Sequence, residues 1–329
     1  MKIILTIIFI SILLLGNTNW IRPAQIPQPK DNPLTKEKIE LGKILFFDKR
    51  LSKNNNISCS SCHNPKNSWT NSVPYSIGSD NKIGERNSPT LINVAYQLNQ
   101  FWDGRVKTLE EQATKPMKNN LEMNISMKDL IKKLNKIKGY KELFDNAFPS
   151  KGITEKTLSK ALASFERTIV SNEAPFDEYI KGDSNAISRK AKEGFRLFLN
   201  KGKCNHCHDG FNFTDGSFHN LGLYKGKLQG QQLGRYIVKK RSAWYGAMKT
   251  PTLRNIIQTY PYFHDGSVTT IEEAIKICGN GGRYKDAINL SSYIVDRKLN
   301  DIEINKIVTF LKTLSNTSNN IDIPKEFPK

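Results

Sequence analysis

The sequence predicts a mainly α, loop-rich protein in two domains, and three observations predict it. The pentapeptide Cys59-Ser60-Ser61-Cys62-His63 recurs in form as Cys204-Asn205-His206-Cys207-His208. Helical periodicity with N-cap residues flanks each copy. No stretch alternates apolar and polar residues for long enough to make more than a short strand.

Each pentapeptide is the pattern for covalent attachment of a c-type haem: two thiols form thioethers to the porphyrin vinyls and the adjacent His coordinates the iron. The copies stand about 145 residues apart, roughly one haem per domain-sized length. A zinc site would need four ligands of its own, whereas each Cys-x-x-Cys here runs directly into His. Of the five cysteines, only Cys278 lies outside the motifs, so no disulfide framework is available. The expected cofactors are therefore two covalent c-type haems. Residues 19–172 are expected to hold the first and residues 173–329 the second.

The elements follow in order. Residues 1–18 carry one Lys and then a mostly apolar run, shorter than the roughly 20 residues of a comfortable membrane span. They read as a secretory signal, with a retained N-terminal anchor as the second reading. Export to the periplasm fits thioether haem chemistry. Residues 23–34, rich in Pro and polar residues, read as a linker. Thr35 caps a helix with Ile39, Leu41 and Leu45 on one face. Residues 52–90 read as loop around the first motif, and 127–140 and 154–171 as helices, the latter capped by Thr154. Residues 172–186 read as the link between domains, and 187–200 as a helix leading into the second motif. Residues 209–260 have little periodicity. Asn300 and Glu303 start a C-terminal helix with Ile304, Ile307, Leu311 and Leu314 on one face.

The formal net charge is +19. It is spread thinly, with no basic run interleaved with aromatics, in a chain expected to be exported; a nucleic-acid partner is excluded on those grounds. The charge suits an acidic electron donor or an anionic surface. A bias toward Lys and Asn accounts for it equally well.

Further stretches carry a resemblance. They are Arg86-Asn87-Ser88-Pro89-Thr90, Phe101-Trp102-Asp103-Gly104-Arg105, Glu111-Gln112-Ala113, Glu122-Met123, Pro251-Thr252-Leu253-Arg254-Asn255 and Pro261-Tyr262-Phe263-His264-Asp265-Gly266. In order and spacing, from Leu41-Gly42 to Leu314, the chain resembles the bacterial di-haem cytochrome c peroxidases and their MauG-type relatives. The resemblance implies two cytochrome c-like domains. It implies a peroxidatic N-terminal haem on His63 and an electron-transfer C-terminal haem on His208. It assigns Glu122 as distal acid–base, Gln112 beside it, and Trp102 between the haems. It implies a calcium ion held by Asn87, Thr259 and Pro261, whose hard oxygen donors suit it. Its partners are hydrogen peroxide and a small cytochrome c or cupredoxin donor, and it leaves a homodimer open.

The chemistry has its own logic. Peroxide must lose a proton from one oxygen and gain one on the other. A single carboxyl group near both can shuttle it, if burial raises its pKa. On local sequence alone, Asn119–Asn124 around Glu122 reads as a surface loop.

Two positions depart from the family. The histidines are His63, His206, His208, His219 and His264. Where these peroxidases carry a loop His that caps the resting peroxidatic iron, this chain has Ser79, a poor ligand. The first iron is thus expected to be open when ferric, unless Met117, Met123, Met127 or Tyr75 binds it. At the distal position of the second haem, Met in the peroxidases and Tyr in the MauG-type proteins, stands Cys278. As a thiolate it would lower the potential; Met248, His219 and His264 are the alternatives. His206 is expected to face solvent or the haem edge.

Three functions follow. The preferred one is a periplasmic di-haem peroxidase fed by a small redox protein. The second is a MauG-type enzyme oxidising a protein or organic substrate. The third is an electron carrier or redox sensor without turnover.

Overall fold

A computed structural model describes residues 18–316 and 321–329; the expected signal segment falls, but for Thr18, outside the described residues. No described helix is long and apolar enough to cross a membrane. The architecture is mainly α and loop-rich. Helices α1 (Lys36–Phe47), α2 (Cys59–Cys62), α3 (Leu109–Ala113), α4 (Lys115–Lys118), α5 (Met127–Leu134), α6 (Lys138–Ala147) and α7 (Glu155–Arg167) come first. They are followed by α8 (Pro175–Ile180), α9 (Arg189–Leu199), α10 (Ile271–Gly279) and α11 (Asp301–Lys312). The one sheet among the described residues pairs β1 (Phe218–His219) with β2 (Met248–Lys249), antiparallel.

The caps fall where the sequence places them. Thr35, Thr154 and Asn300 each accept from a first-turn backbone N–H of α1, α7 and α11. The expected helix over 127–140 is instead two: α5 ends at Asn135, whose Nδ2 donates to Ile131 O, and α6 restarts after Ile137. Residues 172–186 contain α8, with Phe176 fully buried, rather than an open linker. Within 23–34, Asn32 is also fully buried and donates to Glu110 Oε1 and Lys160 O.

Two apolar cores result. One gathers Leu41, Phe46, Trp69, Phe144, Leu162 and Phe165; the other Trp20, Phe176, Phe198, Phe213, Phe310 and Leu314. The chain ends cross over: Trp20 packs in the second core, while Ile321 and Phe327 pack on the first. In the second core, Arg254, fully buried, is held bidentately by Asp177 on α8 at 2.7 and 2.8 Å. Removing one partner would strand a buried charge.

The halves repeat. Asn93 and Asn255 (φ +59° and +56°) each open a short 3-10 turn. Phe101 and Phe263 (φ +66° and +67°) each sit inside a tight antiparallel bridge, Gln100–Val106 and Tyr262–Val268. Trp102 and His264 follow at equivalent places, as do Asp103 and Asp265.

Each core also has a helix crossing at glycine. A Cβ on Gly42 of α1 would overlap the Ala161 carbonyl of α7; one on Gly194 of α9 would overlap the Lys306 carbonyl of α11. Backbone cannot step aside cheaply. Gly42→Ala and Gly194→Ala are therefore each expected to destabilise the holoprotein by about 1–3 kcal/mol in guanidinium unfolding. An unchanged midpoint would show that the helices slide freely.

Candidate haem sites and the wall between them

The two Cys-x-x-Cys-His motifs line two separate cavities. In the first, α2 is a single helical turn whose closing bond runs from His63 N to Cys59 O at 3.0 Å. It sets Cys59, Cys62 and His63 on one wall. In the second, a 3-10 turn over Cys204–His206 does the same, with His208 N bonded to Cys204 O at 2.9 Å. No disulfide joins any of the four cysteines.

Both histidines are prepared in the same way. His63 Nδ1 meets Trp69 O at 3.1 Å, and His208 Nδ1 meets Phe213 O at 2.9 Å. Both carbonyls come from residues with left-handed backbone, φ +62° and +51°. Burial pushes both imidazoles below their ordinary pKa, so each is neutral near pH 7. A neutral imidazole whose Nδ1–H is fixed by a carbonyl offers Nε2 to a metal. These donor sets fit two c-type haems.

The first cavity, about 360 Å³, is in the range of cofactor sites. It is also lined by Gln112 and Glu122. Gln112, on α3, has a buried Oε1 with no partner, an orphan facing the site. Glu122 Oε1 accepts from Asn119 Nδ2 at 2.6 Å. Burial pushes its carboxyl above the ordinary range, against the opposing Asn119 hydrogen bond and the Arg105 charge. The turn carrying Glu122 is thus not a solvated loop.

Ser79 does not line this cavity. It is fully buried, donating from N to Glu122 O at 2.6 Å and from Oγ to Met123 O at 3.1 Å. Where a ligand was at issue, the chain has a strut that fixes the backbone of Glu122. Of the other residues considered for the first iron, only Met123 lines the cavity; Met117 is sealed in the core and Tyr75 is 38% exposed.

The second cavity is lined by Cys278 of α10 and by Met248 of β2. Burial pushes the Cys278 thiol up to about 12. The two histidines are less available. His219 is engaged at both nitrogens, by Ser291 Oγ at 3.2 Å and Asp215 Oδ2 at 2.9 Å. His264 Nε2 lies 3.2 Å from the Tyr224 hydroxyl. His206 is exposed and meets the Tyr293 ring edge-on at 5.4 Å.

Asn87, Trp102, Lys249 and Pro251 line both cavities and form the wall between them. Trp102 Nε1 donates to Asn87 O at 2.8 Å, and Lys249 N donates to Trp102 O at 2.8 Å. Thr259 and Pro261 line the second cavity beside Asn87. The Asn87 side-chain Nδ2 donates to Val73 O at 2.9 Å and to Pro74 O at 3.3 Å.

Two residues escape sequence reasoning. Glu166 of α7 lines the first cavity, 5% exposed, with Oε2 unpartnered; burial pushes its carboxyl up to about 8. Lys249 is pushed down to about 7 by burial and donates from Nζ to Asn99 O at 2.8 Å and to Gln97 Oε1. Neither has a local sequence signal: one looks like a solvated helix face, the other like an ordinary surface lysine.

Residues 36–185 match the family model of the di-haem cytochrome c peroxidases. The chain is 38% identical over 97% of its length to the methylamine utilization protein MauG of Methylophilus methylotrophus, covering 97% of that protein. It is 39% identical over 89% of its length to the cytochrome c551 peroxidase of Nitrosomonas europaea, covering 84% of it. The crystal structure of a MauG-like protein associated with microbial copper homeostasis superposes with a TM-score of 0.84 at 32% identity, over 92% of this chain and 96% of that one. With relatives this similar over nearly their whole length, and two cavities each walled by a Cys-x-x-Cys-His motif, the chain belongs to the di-haem cytochrome c peroxidase family of oxidoreductases.

Proposed function

We propose that this chain is a periplasmic peroxidase carrying two covalent c-type haems, which reduces hydrogen peroxide to water with electrons from a small soluble redox protein. The observation that carries the reading is that Glu122 and Gln112 line the cavity of His63 together, one a carboxyl whose pKa burial raises, the other an amide with an unpartnered oxygen. Such a pair is superfluous in a carrier.

Cys59, Cys62 and His63 would hold one haem, and Cys204, Cys207 and His208 the other. When bound, the two irons supply the redox chemistry, one at peroxide and one for electron entry. The chain does the rest. Glu122 takes a proton from the near peroxide oxygen and returns it to the far one, the task its raised pKa suits. Gln112 orients peroxide through its free Oε1. Ser79 keeps the Glu122 backbone in place instead of occupying the metal. Trp102, in the wall common to both cavities, joins the two redox centres. Residues 19–172 would form the peroxidatic unit and 173–329 the electron-transfer unit, apart from the exchanged segments at Trp20 and at Ile321 and Phe327. Asn87 Oδ1 and the carbonyls of Thr259 and Pro261 are hard donors that would hold calcium at the seam.

One observation favours the second reading, a MauG-type enzyme acting on a protein or organic substrate. The second cavity presents Cys278, not Met, on α10. A thiolate ligand would make the second iron a poor high-potential entry point.

Steady-state assay of the holoprotein with peroxide and a reduced small cytochrome tests the function. Sustained turnover supports the peroxidase. An open iron that binds cyanide without turnover transfers the weight to the MauG-type reading, and no binding at all leaves a carrier. Glu122→Gln is expected to lower kcat/KM for peroxide by about 10²–10⁴ with haem spectra unchanged; a loss under tenfold would remove Glu122 from proton transfer. Cys278→Ala is expected to alter the optical spectrum of one haem only. An unchanged spectrum would remove Cys278 as ligand.

A further inference from the structure

We propose that Tyr224 is a third redox centre, a one-electron donor to the haem pair that passes its phenolic proton to Asp265. This rests on the peroxide reading above. Three rings stand in a row from the wall between the cavities. Trp102 meets His264 at 6.3 Å between centroids, and His264 meets Tyr224 at 5.7 Å. Trp102 borders both cavities; His264 and Tyr224 border the second.

The hydrogen bonds at the end of this row suit oxidation of a phenol. The Tyr224 hydroxyl donates to Asp265 Oδ2 at 2.7 Å. Since that proton is committed to Asp265, the 3.2 Å contact with His264 must be His264 Nε2–H donating to the phenol oxygen. A phenol becomes a strong acid on losing an electron, so a base already hydrogen-bonded to it removes the cost of expelling a proton into an apolar site. Asp265 is such a base. Burial pushes its carboxyl up, but the Tyr224 hydroxyl, His264 and the Ser267 backbone N–H outweigh this and hold it ionised.

The internal repeat sharpens the point. Asp103, the counterpart of Asp265, is gripped by two guanidiniums, Arg86 Nη1 at 2.7 Å and Arg105 Nη1 at 3.0 Å. Its charge is spent. At Asp265 the place of Arg105 is taken by Ser267 and the partner is a phenol, so the carboxylate keeps the capacity to accept a proton.

The step balances. Peroxide takes two electrons from the haem pair and two protons from solvent, giving two waters. Tyr224 returns one electron by way of His264 and Trp102. Its O–H bond breaks, the proton moves to Asp265 Oδ2, and a neutral tyrosyl radical remains. One oxidising equivalent stays on the haems.

The test is freeze-quench electron paramagnetic resonance of the diferric holoprotein mixed with one equivalent of peroxide and no electron donor. A radical is expected whose hyperfine pattern narrows in protein grown on ring-deuterated tyrosine. It should vanish in Tyr224→Phe and fall several-fold in Asp265→Asn, with resting haem spectra of both variants unchanged. Haem bands that respond to peroxide with no tyrosyl signal, or a signal that survives Tyr224→Phe, would overturn the proposal alone. Haem bands that never respond to peroxide would overturn it together with the functional reading.

Discussion

The wall between the two cavities is the constraint on which the rest depends. Its indole, Trp102, borders both cavities and is tied from both sides. Trp102 donates to Asn87 O, Lys249 N donates to Trp102 O, and Asn87 N donates to His264 O at 2.7 Å. Each of these backbone groups would be an unsatisfied buried polar atom without its partner, which makes the arrangement costly to deform. Two redox groups placed on either side of it keep a fixed separation. The crossing of the chain ends adds to this coupling, since each core is completed by a segment from the far end of the chain.

Against that fixed frame the two halves have diverged. The same turn geometry recurs at Asn93 and Asn255 and at Phe101 and Phe263. The groups displayed on it differ: Trp102 against His264, and an arginine-neutralised Asp103 against a phenol-bonded Asp265. The first cavity gathers two buried carboxyls, Glu122 and Glu166, and the amide of Gln112. The second presents sulfur, Cys278 and Met248. On the proposed reading, one scaffold would support peroxide chemistry on one side and electron handling on the other, through side chains alone.

Much of this was legible in the sequence because it is local. The haem-binding residues are contiguous, and the caps at Thr35, Thr154 and Asn300 act within one helical turn. What was not legible depends on distant partners. Residues 172–186 look like a linker until Arg254 pairs with Asp177. The break near Ile137 interrupts a periodicity that itself continues. Glu122, Gln112 and Trp102 stood out only through resemblance, since burial of the Glu122 turn comes from Ser79, more than forty residues earlier. Glu166 is buried because α3 crosses α7, where Arg167 beside it pairs with Glu110 at 2.8 Å; nothing in the local sequence announces that crossing.

Function turns on whether the first iron keeps a vacant coordination position at rest. The structure gives Ser79 another occupation, within hydrogen-bond reach of Met123 O and away from the cavity. Low-temperature electron paramagnetic resonance of the diferric holoprotein, before any reductant is added, reads the spin state of each iron directly. A high-spin ferric signal from one of the two haems is expected. Two low-spin signals and nothing else would contradict it, because the first metal would then be capped and the carboxyl of Glu122 would face a closed site.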